Sequence, residues 1–238
     1  MSYLLETRNL TKRFGRGSGA QTAVDRVSLH VPEGAVYGLL GPNGAGKSTV
    51  LKMVAGMLHP TEGDILLDGR PWRRGDLYRI GALIETPPVY PNLTAWENLR
   101  VRATLLGVSE SRLGEVLRTV VLTATGKKRA GQFSMGMKQR LGIALALLGC
   151  PRLLILDEPT NGLDPIGIEE LRGLIRSLPQ QGVTVVVSSH ILTEVSHTAD
   201  PVGLIAAGRV APQAELAPGA ALHSLLLALS RPVGVDAG

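Results

Sequence analysis

The strongest constraint on the fold is a glycine-rich segment that lies between an apolar run and a helical pattern. Residues 41–48 read Gly-Pro-Asn-Gly-Ala-Gly-Lys-Ser and match the phosphate-loop pattern GxxxxGK[ST]. The apolar residues 35–40 are typical of a buried strand, and residues 49–57 favour a helix. Glycines allow backbone N–H groups to curl around a phosphate oxygen, and the helix adds the positive end of its dipole. The sequence therefore predicts a nucleoside triphosphate site at this loop.

Two side chains of the loop have predicted roles. Lys47 would reach the β- and γ-phosphates, and the Ser48 hydroxyl would bind Mg²⁺. A glycine-rich turn with an accidental lysine is the alternative, but the flanking strand and helix count against it. The predicted nucleotide contacts of the loop are Gly41, Pro42, Asn43, Gly44, Ala45, Gly46, Lys47, Ser48 and Thr49.

Composition limits the class of protein. The chain has 238 residues, enough for one large domain or a core with a subdomain, and its 3% of aromatic residues imply an aliphatic core. The single Cys150 excludes an intramolecular disulfide and is typical of a reducing compartment. The longest basic cluster, residues 127–129, is short despite a net charge of +5, so we expect a solvated loop there and no nucleic-acid partner.

Hydropathy predicts no membrane helix. No run approaches the roughly 18 uninterrupted apolar residues that a spanning helix needs. The first ten residues include an acid and lack the apolar region and cleavage site of a signal peptide. We therefore expect a soluble intracellular protein whose membrane role, if any, comes through a partner.

Strand-like and helical segments alternate along the chain. The predicted strands cover residues 3–10, 27–31, 35–40, 64–68, 80–84, 153–156, 183–188, 202–206 and 209–211. The predicted helices cover residues 49–57, 94–122, 135–148, 166–178, 191–197 and 214–229, before a frayed tail at 230–238. This alternation predicts an α/β fold with a largely parallel core sheet, interrupted by a mostly helical subdomain at about 87–150.

A pair of acids follows the apolar strand at residues 153–156. Asp157 and Glu158 stand at the carboxyl end of that strand, where α/β sheets bind ligands. Asp157 would hold the Mg²⁺ shell, and Glu158 would act as general base or orient the attacking water. Two surface acids are the alternative, but Pro-Thr-Asn-Gly at residues 159–162 places them in a defined turn, which favours the functional interpretation.

Residues 133–140, Phe-Ser-Met-Gly-Met-Lys-Gln-Arg, resemble the signature of the ATP-binding cassette family, usually Leu-Ser-Gly-Gly-Gln. Phe133, Met135 and Met137 depart from that signature, whereas Ser134 and Gly136 are retained. The resemblance implies that Ser134 and the helix that begins there meet the γ-phosphate of ATP bound to a second subunit, an anion at a helix start. Without its position in the chain, this segment would be only a helix cap.

Three further residues resemble family positions. Asp164, in Gly-Leu-Asp at 162–164, resembles the D-loop, and His190 after the strand at 183–188 resembles the switch histidine near the catalytic glutamate. Phe14 resembles the aromatic residue that stacks on adenine, although it could equally belong to the core. The resemblance covers residues 1 to about 212 and implies a P-loop NTPase core with an N-terminal antiparallel β-subdomain and an inserted helical subdomain. Residues 213–238 would form a C-terminal helix and tail.

Glu85 departs from the family, which usually has glutamine after the strand leading into the helical subdomain. Either side chain offers an oxygen to Mg²⁺, but Glu85 adds a charge, so coupling to that subdomain would differ. The run Ile-Glu-x-Pro-x-x-Tyr-x-x-Leu-Thr-x-x-Glu-Asn-Leu at 84–99, with the signature variant, resembles bacitracin-resistance and lantibiotic self-protection exporters.

The resemblance implies an ATP-hydrolysing transporter subunit that uses ATP and Mg²⁺, with Lys47, Glu158 and His190 as its catalytic residues. It would pair head to tail with a second ATPase subunit, here expected to be a copy of itself, and dock on a separate membrane permease at the cytoplasmic face. A non-transport cassette protein acting on ribosomes or nucleic acid is the alternative; such relatives carry fused cassettes or inserted coiled coils, which this sequence lacks. A nucleotide-binding but inactive subunit is a third interpretation, against which the intact site residues argue.

Overall fold

The computed structural model describes residues 2–199 and 201–210. The described strands are β1 (Tyr3–Phe14), β2 (Gln21–Val27), β3 (His30–Pro32), β4 (Val36–Leu40), β5 (Glu62–Leu67), β6 (Arg70–Pro71), β7 (Ile80–Leu83), β8 (Leu153–Asp157), β9 (Thr184–Ser189), β10 (Val202–Ala206) and β11 (Arg209–Val210). The described α-helices are α1 (Lys47–Val54), α2 (Ala95–Leu106), α3 (Glu110–Thr119), α4 (Met135–Leu147), α5 (Pro165–Ser177) and α6 (Leu192–Ser196).

The larger sheet has the strand order β11-β10-β4-β9-β8-β7 and is parallel except for the β10–β11 pair. Strands β4, β8 and β9 are buried along their whole length, which explains their nearly continuous apolar sequences. Because side chains alternate between faces, Leu154 and Leu156 join the core beside the helical region, and Leu153 and Ile155 join the core beside α1 and the second sheet. The carboxyl ends of these strands meet at one edge.

The second sheet is antiparallel and has β1 at its centre, with β2, β3 and β5 paired to it and β6 paired to β5. An ion-pair network ties it to the core, because Arg152, immediately before β8, pairs with both Asp68 and Glu33, and Arg79 also pairs with Asp68. The predicted combination of a mainly parallel P-loop core and an N-terminal antiparallel sheet is confirmed.

The region between β7 and β8 is mostly helical, as predicted. Thr94 and Glu97 form a reciprocal capping box at the start of α2, and the Ser134 hydroxyl caps α4 by accepting a hydrogen bond from the Met137 N–H. The helical stretch predicted at 94–122 is divided into α2 and α3. Gly107 ends α2 in the left-handed conformation, at a φ of 67°, which glycine adopts at little cost.

The strand predicted at 27–31 is wrong. Val27 ends β2, Leu29 lies in the gap and β3 begins at His30. The buried Thr7 hydroxyl accepts a hydrogen bond from the Leu29 N–H at 2.9 Å and donates one to the Val27 carbonyl at 3.0 Å, while the Thr7 N–H donates to the Leu29 carbonyl at 3.0 Å. A side chain thus takes part in the pairing where the regular strand is interrupted. The helix predicted at 214–229 and the tail at 230–238 lie outside the described residues.

Candidate nucleotide site

The phosphate loop follows the central strand β4 and leads directly into α1. A side chain at Gly46 would place its Cβ 2.5 Å from the Ala23 carbonyl oxygen, and the φ of 103° also favours glycine. Glycine is therefore required where the loop enters α1. The N–H groups of residues 44 and 46–48 have no hydrogen-bond acceptor within the described part of the chain. These donors and the start of α1 together form a cradle for an oxyanion.

Lys47 is buried within this cradle, with 5% of its side chain exposed. Its Nζ donates to the carbonyl oxygens of Gly41, at 2.6 Å, and Pro42, at 3.1 Å. It also lies 3.1 Å from Oε1 of Glu158. That contact is an ion pair without hydrogen-bond alignment, since Oε1 is buried and has no hydrogen-bond donor among the described residues. The loop lysine and the acid after β8 therefore meet in one chain.

Asp157 and Glu158 are held in place by Ser188 on the neighbouring strand β9. The Ser188 hydroxyl donates to Oδ1 of Asp157 at 2.6 Å and accepts from the Glu158 N–H at 2.9 Å. Glu158 has a φ of 49°, uncommon for a residue with a side chain, and such strain persists only where neighbours enforce it. Ser188 therefore fixes the orientation of both acids, a contact that the sequence did not reveal.

His190 follows β9 and completes the cluster. Its Nδ1 lies 2.8 Å from Oε2 of Glu158. Lys47, Glu158 and His190 thus contact one another in series at the carboxyl edge of the parallel sheet, where the sequence predicted that they would meet. A buried lysine, a carboxylate and an imidazole beside a ring of free N–H groups can bind a triphosphate and move a proton next to it.

Comparisons with known proteins agree with this geometry. The sequence profile of the ABC transporter family matches residues 24–161, more than half of the chain. The lantibiotic transport ATP-binding protein SrtF of Streptococcus pyogenes is 51% identical over 207 residues, which cover 87% of this chain and 89% of that protein. The bacitracin transport ATP-binding protein BcrA of Bacillus licheniformis is 47% identical over 215 residues, covering 88% and 69%.

The chain belongs to the ABC transporter family.

Solved structures support the same assignment. The cassette cbiO1 of Clostridium perfringens, part of the transporter complex cbiONQ, has a TM-score of 0.81 and 28% identity, covering 90% of this chain and 89% of that chain. A dimeric post-hydrolysis state of the cassette MJ0796 bound to ADP and Pi has a TM-score of 0.78 and 27% identity, covering 90% and 100%. The present ABC chain is accordingly an ATP-binding, ATP-hydrolysing subunit whose activity is coupled to transport.

The ABC signature lies apart from the phosphate loop. Ser134, Gly136 and Asp164 line a cavity of about 770 Å³ between α4, the start of α5 and the residues after α3. No residue of the phosphate loop and neither Glu158 nor His190 lines it. Asp164 also caps α5 by accepting a hydrogen bond from the Gly167 N–H at 3.0 Å. Two groups of predicted nucleotide contacts therefore stand at separate places in one chain.

Two other predicted residues stand at the periphery. Oε1 of Glu85 lies 2.5 Å from Nζ of Lys52 on α1, and the φ of Glu85 is 65°. Phe14, at the end of β1, is 42% exposed and has Nζ of Lys12 5.3 Å from its ring centroid. Glu85 is thus bound to a lysine one turn beyond the phosphate loop, and Phe14 presents an open aromatic face.

The described residues contain no group of three or more His, Cys, Asp or Glu side chains arranged to hold a metal ion. A magnesium ion held jointly by one or two protein oxygens and phosphate oxygens needs no such group. The hydroxyl of Ser48 and the carboxylate of Asp157 are the kinds of oxygen that such a shared site uses.

None of the described helices is both long and apolar enough to cross a bilayer.

Proposed function

We propose that this chain supplies ATP-driven force to an exporter of peptide antibiotics, of the lantibiotic or bacitracin type, through a separate permease at the inner face of the cell membrane. The observation that carries this proposal is 51% identity to a lantibiotic transport ATP-binding protein over 87% of the chain. Substrates related to lipids or drugs belong to the same proposal. An action on ribosomes or nucleic acid is not favoured, because SrtF and BcrA are transport ATP-binding proteins.

The nucleotide would bind with its triphosphate in the cradle formed by residues 41–49. Free N–H groups there fit phosphate oxygens, and Lys47 would exchange its carbonyl and Glu158 contacts for the β- and γ-phosphates. Ser48 and Asp157 would hold Mg²⁺, which supplies neutralisation of phosphate charge when it is bound. Glu85 would join them after leaving Lys52, and Phe14 would stack on the adenine ring.

Glu158 would accept the proton of the attacking water. Its Oε1 lacks an aligned donor in the described chain, so that oxygen can accept a hydrogen bond once Lys47 has moved to phosphate. His190 would hold Oε2 through its 2.8 Å contact and present its other ring nitrogen to the γ-phosphate. Glu158, His190 and Lys47 would therefore serve as a base, a group that orients the base, and a cation.

A head-to-tail pair of copies would complete the site. Ser134, Gly136 and Asp164 line an open cavity that no phosphate-loop residue lines, which supports a role toward the nucleotide of another copy. A second copy would bring its own Ser134 and α4 start to the γ-phosphate of the first. The permease would dock near residues 85–96, where Tyr90 is 54% exposed.

Transport can be tested in a bacterium that carries the chain. Deletion of the gene should raise sensitivity to bacitracin or a lanthionine-containing peptide, and the wild-type chain but not Glu158→Gln should restore resistance. Purification of the tagged chain from detergent-solubilised membranes should recover a multi-span protein. Unchanged sensitivity to both antibiotics, with no membrane protein recovered, would contradict the export assignment.

A further inference from the structure

Glu194, on α6, joins the two segments that carry Glu158 and His190. A single oxygen of its carboxylate, Oε2, accepts a hydrogen bond from the Thr160 hydroxyl at 2.7 Å and another from the Ser189 hydroxyl at 2.8 Å. Thr160 stands two residues after Glu158, and Ser189 stands immediately before His190. One carboxylate oxygen therefore connects the turn after β8 to the last residue of β9.

Ser189, one of the two partners of Glu194, is buried and makes a second hydrogen bond. Ser189 is 2% exposed, and its hydroxyl also accepts a hydrogen bond from the Ile191 N–H at 3.0 Å. The side chain of Ser189 thus links Glu194 to the backbone on the far side of His190. His190 therefore lies between two residues that are held by hydrogen bonds, Ser189 and Ile191, and its own side chain is one third exposed.

The hydrogen bond between Thr160 and Glu194 restrains the backbone next to Glu158. Glu158 adopts a φ of 49°, a conformation that costs free energy and must be imposed by its surroundings. Ser188 fixes the N–H group of Glu158, but the turn after it is tied to the rest of the molecule through the Thr160 hydroxyl. Hydrogen bonds to an ionised acceptor are stronger than neutral ones, so a carboxylate suits this double restraint.

We propose that Glu194 is a positioning residue. By holding Thr160 and Ser189 to one oxygen, it fixes the position of the general base Glu158 relative to its partner His190. The inference rests on the roles proposed above for Glu158 and His190. The carboxylate of Glu194 makes no hydrogen bond to the phosphate loop among the described residues; it acts through the two hydroxyls. A displacement of about 1 Å at a reacting group can lower a rate about 100-fold, so this restraint bears on catalysis.

The test compares Glu194→Ala with Glu194→Gln in steady-state ATP hydrolysis. Alanine removes the acceptor and should lower kcat by about 10- to 100-fold, with the KM for ATP changed less than about threefold. Glutamine keeps one acceptor oxygen without the charge and should restore most of the rate. Thr193→Ala, on the exposed face of the same helix, is the matched control and should retain the wild-type kcat.

The two hydroxyls give an independent measurement. Thr160→Val should reduce kcat, and adding Glu194→Ala to it should reduce kcat by less than the product of the separate losses, because both changes break one connection. Wild-type kcat in Glu194→Ala would overturn the inference. So would a loss that Glu194→Gln shares in full, since a retained acceptor oxygen would then not be sufficient. A loss accompanied by a lower unfolding temperature and weaker ATP binding would also overturn it, since that result indicates a role in folding only.

Glu158→Gln, measured in parallel, separates this inference from the proposed function. If Glu158→Gln is inactive and Glu194→Ala is fully active, only the positioning role fails. If Glu158→Gln retains full turnover, the proposed base is wrong, and the inference that depends on it is overturned with it.

Discussion

The edge of the parallel sheet and the signature region contain the two halves of the predicted site, and they are built differently. At the sheet edge, Lys47, Glu158 and His190 already contact one another, and the lysine is buried. In the signature region, Ser134 lines an open cavity, and Met135 beside it is 50% exposed. One half is assembled by the fold of a single chain, whereas the other is a surface that, in the proposed function, a second copy would complete.

The largest expected effect is at the assembled half. Lys47→Ala removes the cation of the cradle and should lower ATP binding and turnover by at least about 100-fold, the scale of losing a group that stabilises developing charge. Equilibrium binding of ATP and phosphate release would measure both quantities. Lys52→Ala, five positions along the same helix, is the control and should keep turnover within about fivefold of wild type. Normal ATP binding by Lys47→Ala would refute the assignment of the phosphate loop.

Glu158→Gln should separate binding from chemistry. The amide preserves the size of the side chain but cannot act as a base, so turnover should fall by about 10²- to 10⁴-fold while ATP binding persists. Sedimentation of the variant should reveal a dimer that forms only with ATP. Glu169→Gln, whose side chain is exposed and paired with Arg172, serves as the control. Unchanged turnover would remove Glu158 from the role of base.

Gly136→Ala tests whether the signature region acts only between copies. A Cβ at Gly136 would meet Leu163 at 3.8 Å, an ordinary contact, and alanine favours a helix by up to about 1 kcal/mol over glycine. The isolated chain should therefore be as stable as wild type or more stable. Turnover should still fall about 10-fold, because the added methyl group would meet the nucleotide of the other copy.

The control for this glycine is Gly173→Ala on α5, where a Cβ would meet nothing within 4 Å. Calorimetry and ATPase assays on both variants separate stability from turnover. Full activity in Gly136→Ala would show that this helix start does not approach phosphate closely.

Lys52→Met should have a smaller effect, on the metal dependence of hydrolysis. Removing Lys52 frees Glu85, so the Mg²⁺ concentration for half-maximal turnover should fall by up to about fivefold, the limit set by a partly exposed ion pair. Glu85→Gln in the Lys52→Met background should reverse much of that gain. A metal dependence that Lys52→Met leaves unchanged would mean that Glu85 does not reach the ion.

The smallest effect on activity should follow Asp68→Asn, far from both halves of the site. Burial raises the pKa of Asp68, but the hydrogen bond from Arg79 and the charges of Arg152, Arg79 and Arg70 outweigh it and hold the pKa below its usual value. The folded-state pKa is thus lower than the unfolded one, so the aspartate stabilises the fold above about pH 4 and loses this contribution as pH falls further.

Thermal unfolding of Asp68→Asn should therefore begin at a lower temperature than wild type at pH 7, by a few degrees, with the difference shrinking below about pH 4. ATP turnover at pH 7 should be unchanged. An equal destabilisation at every pH would show that the ion pairs with Arg79 and Arg152 are not its cause.

Local patterns predicted the features that local chemistry determines. The apolar runs before Gly41 and Asp157 became buried parallel strands, and parallel strands bring their carboxyl ends together, so Lys47, Glu158 and His190 met as expected. The capping box at Thr94 likewise opened a helix where its spacing indicated.

Contacts between distant side chains were not predictable. The hydroxyl of Thr7 bonds the backbone where the strand expected at 27–31 is interrupted, and its partners lie at least 20 residues away in sequence. Lys52 holds Glu85 across 33 residues, and Glu194 holds Thr160 across 34. These side-chain contacts depend on which residues the completed fold brings close together. The periodicity of the sequence does not predict them.

A crystal structure of Glu158→Gln grown with ATP and Mg²⁺ would test the central claim most directly. The account predicts a head-to-tail dimer in which the triphosphate lies against the N–H groups of residues 44 and 46–48 of one copy, with Ser134 of the other copy at the γ-phosphate. A triphosphate bound away from residues 41–49, or a pair of copies that leaves Ser134 remote from it, would contradict the account.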